Sequence, residues 1–532
     1  MPARDRLRRN ELAAATLAAA TATLAVFGGS LRYFFSQDDF QHLARAAGLI
    51  PTELTPWRPV ANVAFFVVMR AVADLHAAAY HAASLSLHAL VAVLGYAYLR
   101  RWRSAPGSAA GTVLFAVHPA LYTALYWIAA VNVLLAWTFA LAALHAERAS
   151  GARRWLAVPL FALALMSRES VATVPLALIA VRLQQRAFRW RDPAVLSLLG
   201  VAVLHAAWIA ALGLFGLGTS AGPGSPYHMA PRAVADNLLT YLGWTADFGV
   251  VTVNHFADVV DPEVFGWAWA VFGLWIAGAL VPALRARGWL VGGAWFVLLL
   301  LPVLPLGAHT YHYYLYGPLL GAAWCAAAAF DAVAERSAAP ASRAAGSGGE
   351  RRGPSPAAGR AAAADAASLA ARRPRAGSWV AAGTLGVLLT LNAVQLVRKI
   401  ETHPFVEQLR ADPTVDRAII ARNVAEDLEA ARLPAGIRLR FWSPTSIQRA
   451  IAEGRDPSQE TYWERNVRQA VFDGLGVRVL FPQVRDVAFV RKLTPANDST
   501  WYAVYRLDGG LGVATFAMLD SLIRAHPGTP VR

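Results

Sequence analysis

Long apolar stretches with almost no charge recur along this chain and decide its class. The stretches 13–29, 194–215 and 289–306 are each about as long as the hydrocarbon core of a bilayer demands of a helix. A soluble protein carries roughly a quarter charged residues. Here the figure is 16% over 532 residues, with 56% hydrophobic. That much apolar surface is solvated by lipid, so the chain reads as an all-α polytopic membrane protein.

The net charge of +15 does not point to nucleic acid, because the basic residues form short clusters between apolar runs. Membrane proteins place such clusters on the cytoplasmic side. That rule gives about eleven crossings, at 11–30, 77–99, 108–124, 126–146, 155–167, 170–182, 194–215, 264–284, 288–306, 314–333 and 377–397. The pair 155–167 and 170–182 forms a short hairpin. With the N-terminus inside, the cytoplasmic segments hold 24 Arg and Lys and the outer loops before the C-terminal region 6. Arg4, Arg6, Arg8 and Arg9 ahead of the first run fit an uncleaved signal anchor. The Arg- and Ala-rich composition is that of a GC-rich bacterial genome, so the expected location is a bacterial inner membrane.

Four regions follow: a membrane domain over 1–334, a disordered cytoplasmic linker over 335–376 rich in Ala, Gly, Ser, Pro and Arg, a last crossing at 377–397, and a small α/β domain over 398–532 on the periplasmic side. In that domain 437–442, 477–481, 487–490 and 501–505 read as strands. The spans 414–432, 460–472 and 514–524 read as helices. Cys325, the one cysteine, sits in an apolar run as a small core residue.

Chemistry concentrates on the outer side. Asp38 and Asp39 are adjacent carboxylates just beyond the first crossing. A carboxylate there can take a proton from an attacking hydroxyl or hold a divalent cation against a phosphate; a helix cap is the plain alternative. Arg58, in Trp57-Arg58-Pro59, can grip a phosphate with its planar fork or anchor the interface with Trp57. Residues 60–72 suggest an amphipathic surface helix. His81 and His88 share a helix face and read as interhelical hydrogen-bonding groups. His118-Pro119 and Trp127-Ile128 sit between two crossings, and Arg168-Glu169 at the hairpin tip must be paired or wet. Tyr311-His312-Tyr313-Tyr314 with Tyr316 makes an aromatic cluster suited to sugar rings, isoprene units or an interfacial belt. No nucleotide-binding or serine-hydrolase motif appears in a suitable setting.

In order, these elements resemble the GT-C superfamily of integral-membrane glycosyltransferases, and within it the protein O-mannosyltransferase group. That group includes transmembrane mannosyltransferases with tetratricopeptide tails and related bacterial proteins. The matching positions are Asp38-Asp39-Phe40, Arg58-Pro59, Tyr80-His81 with His88, His118-Pro119 with Trp127-Ile128, Ser167-Arg168-Glu169-Ser170, and Tyr314-Leu315-Tyr316-Gly317-Pro318. The resemblance covers residues 10–335. It implies that Asp38 is the catalytic base with Asp39 in support, that the donor is a polyprenyl-phosphate sugar, and that transfer inverts the anomeric centre. Donor phosphate contacts fall to Arg58 and Arg168, and substrate contacts to His118, Trp127, Glu169, His312, Tyr313 and Tyr316. Any divalent cation falls to Asp38 and Asp39. The acceptor is a glycan, lipid or protein, in contact with membrane lipids and not nucleic acid. The chain departs from the pattern at Thr123, Val131 and Val133, where relatives often carry charge, and at Tyr313, where they often carry Arg. It lacks the tetratricopeptide tail. The rival readings are a transporter or flippase with His81, His88 and Glu169 relaying protons, and an inactive scaffold of the same fold.

Overall fold

The computed structural model describes residues 3–51, 58–211, 229–246, 262–307, 309–336, 413–443, 462–497, 499–505 and 510–525, with single positions between 383 and 394. The first fifteen helices build the membrane domain. They are α1 (Ala3–Phe27), α2 (Asp38–Ala46), α3 (Phe65–Ala73), α4 (Ala77–Leu99), α5 (Ala105–Ala116), α6 (Tyr122–Tyr126), α7 (Val131–Ala146), α8 (Ala157–Ser167) and α9 (Val174–Gln184). Then come α10 (Pro193–Ala211), α11 (Ala233–Trp244), α12 (Pro262–Leu280), α13 (Pro282–Ala286), α14 (Trp289–Leu300) and α15 (Pro318–Arg336).

Among the described residues, five helical stretches are long and apolar enough to cross a membrane: Asn10–Arg32, Ala77–Leu99, Ile128–Ala146, Pro193–Ala211 and Pro318–Glu335. A sixth, Ala105–Ala116 with Pro119–Tyr126, is bent by 51° at its break. There Pro119 has no N–H to continue the ladder. The expected segments at 155–167 and 170–182 are α8 and α9, of 11 residues each. At 1.5 Å per residue each reaches only about half of a bilayer core. Helix α14, with 12 residues, is apolar but shorter than a full span, whereas the apolar α12 has 19 residues, as many as α10. The chain is thus a multi-pass, mostly helical membrane protein, with the pair 155–167 and 170–182 present as a hairpin of short helices. Full spans stand beside half-length helices packed within the bundle. Residues 335–376, apart from the end of α15, and two thirds of 377–397 lie outside the described residues.

Small residues let the helices approach. Gly111 on α5 faces α15, and a Cβ there would sit 2.3 Å from the carbonyl oxygen of Ala323. Gly107, one turn earlier, lies against the Asp331 carboxylate and, at 3.1 Å from where a Cβ would sit, the carbonyl oxygen of Ala327. Gly292 on α14 and Gly321 on α15 touch through each other's backbone. Close backbone contact of this kind replaces the hydrophobic drive that lipid removes between helices. Cys325 is buried at this seam, its Sγ 3.5 Å from the carbonyl oxygen of Trp289. His81 and His88 bond across helices as expected. His81 Nδ1 is 3.2 Å from the Leu125 carbonyl oxygen. His88 Nδ1 is 2.7 Å from the Tyr316 hydroxyl, and His88 Nε2 is 2.9 Å from the Ala116 carbonyl oxygen.

Polar groups gather at two ends of the bundle. At one end Arg100 pairs with Glu11, Arg182 with Glu147 and Asp192, and Arg287 with Glu335. At the other lie Asp38, Arg58, Arg168 and Glu169. Helices α4 and α7 run between the two ends, from Tyr80 to Arg100 and from Asn132 to Glu147.

The C-terminal domain is a four-stranded sheet with helices, and its strands are β1 (Arg438–Trp442), β2 (Asp486–Val490), β3 (Thr500–Tyr505) and β4 (Leu511–Thr515). The order is β2-β1-β3-β4, with β1 parallel to both neighbours and β4 antiparallel to β3. Phe441 stacks on Phe489 across the β1–β2 pair, at 4.8 Å. The stretch expected as a strand at 477–481 is a helix, α18 (Leu475–Leu480), which follows Gly474 at φ 88°. Strand β4 occupies the start of the helix expected at 514–524, and the helix itself is Phe516–Ala525. Helices α16 (Pro413–Ala430) and α17 (Tyr462–Ala470) fall where the helical spacing placed them.

This domain sits on the acidic loop. Phe35, Phe40 and Leu43 share one apolar cluster with Val424, Val471 and Val477. A Cβ on Gly476 would meet the Phe40 ring at 2.7 Å.

Candidate functional site

After α1 a short 3-10 turn (Gly28–Arg32) leads through an extended stretch to Gln37. Gln37 has φ 55° and ψ −128°, a left-handed φ that a residue with a Cβ rarely adopts. It turns the chain sharply into α2, so that Asp38 and Asp39 open the first turn. Acidic residues are favoured there by the helix dipole.

The two carboxylates do different work. Asp39 is buried. Its Oδ2 accepts from the Ser36 N–H at 2.9 Å, and its Oδ1 from the Ala129 N–H at 2.6 Å. It ties the acidic loop to the short turn Ile128–Ala130 that follows Trp127. Asp38 is half-buried, and among the described residues its carboxylate accepts no hydrogen bond. Burial pushes its carboxyl above the ordinary aspartate value, and the guanidinium groups of Arg58, Arg417 and Arg45 pull against that shift. Burial pushes Asp39 up further, opposed by its two backbone donors. His42 lies one turn beyond Asp38, on the same face of α2. Its ring is buried against Phe66 and 3.3 Å from Arg45. Burial, with Arg45 and Arg58, pulls its pKa down to about 3, which keeps the imidazole neutral.

Arg58 finds a partner far away in sequence. It forms a two-point pair with Glu169 on the hairpin, Nε to Oε2 at 2.8 Å and Nη2 to Oε1 at 2.5 Å. Burial works to raise Glu169, but Arg58 and then Arg168 hold it down at about 2. Breaking a buried pair of this kind costs about 3–5 kcal/mol. The Arg58 fork is therefore engaged, and Glu169 is its counter-ion.

Arg168 differs. It is only 2% exposed. One Nη donates to the side-chain oxygen of Asn132, whose amide in turn donates to the Ala129 carbonyl oxygen at 2.9 Å. Asp39, Ala129, Asn132 and Arg168 thus form one bonded line. The Arg168 guanidinium lies over the rings of Tyr313 and Tyr314, at 4.6 and 4.8 Å. Its Nε and other Nη are buried with no hydrogen-bond partner among the described residues. A buried cation with two unsatisfied donors is costly, and an anion that reached those donors would satisfy them.

Of the other expected residues, Tyr313 belongs here, stacked on Tyr311 at 4.9 Å and close to Trp127 at 6.2 Å. The Trp127 indole N–H is buried without a partner among the described residues. His118 is structural: Nδ1 accepts from the Ala120 N–H, and Nε2 is 3.1 Å from the Thr245 carbonyl oxygen. His312 is fully buried and stacks on Trp244 at 3.9 Å. Tyr316 is buried and bonded to His88. His309 was not expected. It is buried against Tyr311 and Tyr314, and burial, then Arg168 and Arg58, pulls its pKa down to about 3. Asn132 was not expected either.

The residues present do not fit a divalent cation. Both Asp39 oxygens accept from backbone N–H groups, and Asp38 lies in the field of Arg58, Arg417 and Arg45, which would repel a cation. No cluster of three His, Cys, Asp or Glu suited to a metal occurs among the described residues.

No family model matches the chain. No curated protein matches it either. Among solved structures, the crystal structure of ArnT from Cupriavidus metallidurans bound to undecaprenyl phosphate is similar over 91% of this chain and 92% of that one, with 15% identity and a TM-score of 0.46. That degree of likeness establishes neither a family nor a ligand for this chain.

Proposed function

We propose that the chain is a membrane glycosyltransferase of the GT-C kind, which moves a sugar from a polyprenyl-phosphate carrier to an acceptor hydroxyl on the outer face of a bacterial inner membrane. The observation that carries this reading is Arg168, a buried guanidinium with two donors unsatisfied among the described residues, joined through Asn132 and Ala129 to the acidic loop that presents Asp38.

In this reading the donor phosphate takes the two free donors of Arg168, with Tyr313 and Tyr314 against its plane. The acceptor oxygen attacks the anomeric carbon as its proton passes to Asp38. The bond from that carbon to the phosphate oxygen breaks, and the phosphate leaves with the electron pair. Arg168 stabilises the charge that develops there. The chain's remaining task is to hold the two reactants in line. Arg58 and Glu169 act as a brace between the first loop and the hairpin. The positive-inside bias puts this end outside.

The test uses the full chain in liposomes with polyprenyl phosphates carrying radiolabelled sugars, supplied with extracted glycan, lipid and protein acceptors. Label leaving the carrier for an acceptor or for water supports the reading. A protein that binds none of the carriers and releases no label overturns it.

A further inference from the structure

A cleft at the end of the bundle away from Asp38 has no place in the reaction above. It is formed by the last turn of α9 and the loop that leads to α10. Its volume is 380 Å³, and it is lined by Arg182, Arg186, Ala187, Phe188, Arg189 and Asp192. That is the size of a small-ligand site.

Its charge is unbalanced. Arg182 is engaged by Glu147 at 2.6 Å and by Asp192. Asp192 also accepts from the Ala194 N–H at 3.0 Å, so its carboxylate is turned to its own loop. Arg186 and Arg189 are exposed and, among the described residues, their guanidinium groups make no hydrogen bond or ion pair. Arg191 follows, also exposed. Two free forks therefore line one cleft and have no carboxylate to answer them.

The surroundings place the cleft at the depth of lipid headgroups. Trp190 is 85% exposed and packs edge-on against Phe188 at 5.0 Å. Leu183 and Leu196, on the helices that flank the loop, are exposed at 58% and 50%. An exposed aromatic pair between exposed leucines and arginines is the arrangement of a membrane interface. Basic pockets at helix ends at that depth select anionic headgroups.

We infer that this cleft binds the phosphodiester headgroup of an anionic glycerophospholipid from the adjacent leaflet. Arg186 and Arg189 grip the phosphate, and the acyl chains run along Leu183 and α10. The inference is independent of the glycosyltransferase reading, since it uses none of the same residues.

The experiment is native mass spectrometry of the full chain released from nanodiscs of phosphatidylcholine with graded phosphatidylglycerol. Three proteins are compared: wild type, Arg186→Gln with Arg189→Gln, and a charge-matched control, Arg153→Gln with Arg232→Gln, at exposed positions outside the cleft. Size-exclusion profiles check that each is folded. The expected result is one tightly retained phosphatidylglycerol on wild type and control, held at least tenfold more weakly by the cleft variant. Equal loss in both variants would reduce the effect to diffuse charge and overturn the site, as would equal retention of phosphatidylcholine. Release by millimolar inorganic phosphate would assign the cleft to a soluble anion instead. Preferential retention of added polyprenyl phosphate would overturn the assignment to a glycerophospholipid.

Discussion

Arg417, on the first helix of the C-terminal domain, donates a hydrogen bond to the side-chain oxygen of Gln37, the residue directly before Asp38. Gln37 also donates its N–H to the Ala470 carbonyl oxygen at 2.9 Å. The disfavoured left-handed φ that aims Asp38 is thus held by the C-terminal domain from two sides. Arg417 is a positioning residue. It also lowers the Asp38 carboxyl against the upward push of burial. Arg417→Ala is expected to lower turnover about tenfold or more, the worth of one charge-assisted hydrogen bond. It should also move the acid limb of the pH–rate profile to higher pH, because a base whose pKa rises is ionised only at higher pH. Arg417→Lys should restore part of the shift. A profile that does not move would remove Arg417 from this role.

Asp39 is predicted to matter for stability first. Asp39→Asn puts an amide donor against one of two backbone N–H groups, leaving a buried donor unsatisfied at a cost of about 1–3 kcal/mol. Thermal unfolding in detergent should show the drop for Asp39→Asn and none for Asp38→Asn, whose carboxylate accepts no hydrogen bond among the described residues.

Arg168 should show the opposite sign in stability and function. Arg168→Met removes a buried cation with unsatisfied donors, so the protein without donor is expected to be no less stable than wild type. Two charge-assisted bonds to phosphate are lost, which should weaken donor binding by about a hundredfold or more. Microscale binding of a polyprenyl phosphate, alongside unfolding, reads both. A large loss of stability with unchanged donor affinity would show Arg168 to be structural.

The α5–α15 seam is predicted to tolerate no Cβ at Gly111. Gly111→Ala would press on the Ala323 backbone, which cannot move as a side chain can. Overpacking of this kind costs about 1–3 kcal/mol, read as a fall in unfolding temperature with transfer activity lost only as the folded fraction falls.

Much of this site was legible in the sequence, but its wiring was not. Adjacent carboxylates at the end of an apolar run stand out, so Asp38 and Asp39 were visible. Which of them is free depends on the Ala129 N–H, 90 residues away, and no local pattern reveals it. Arg58 looked like a phosphate ligand because its planar fork suits one, yet the fork bonds Glu169 across the bundle. Arg168 was read as a phosphate contact or as half of a pair with Glu169, and its bond to Asn132, 36 residues away, has no local signature. Asn132 is a single polar residue in apolar surroundings, indistinguishable there from an ordinary core group, and His309 lies just ahead of the aromatic cluster that drew the reading to Tyr311–Tyr314. In the C-terminal domain the run at 477–481 is too short for its period to separate strand from helix. Gly512 interrupts β4, which hid it.

The central claim is that Asp38 takes the acceptor's proton. Its most direct test is a single-turnover assay of Asp38→Asn against wild type, both saturated with a radiolabelled polyprenyl-phosphate sugar and acceptor. The account predicts a rate about 10²–10⁴ lower, with donor affinity and unfolding temperature unchanged. A variant that transfers sugar within twofold of the wild-type rate would contradict it.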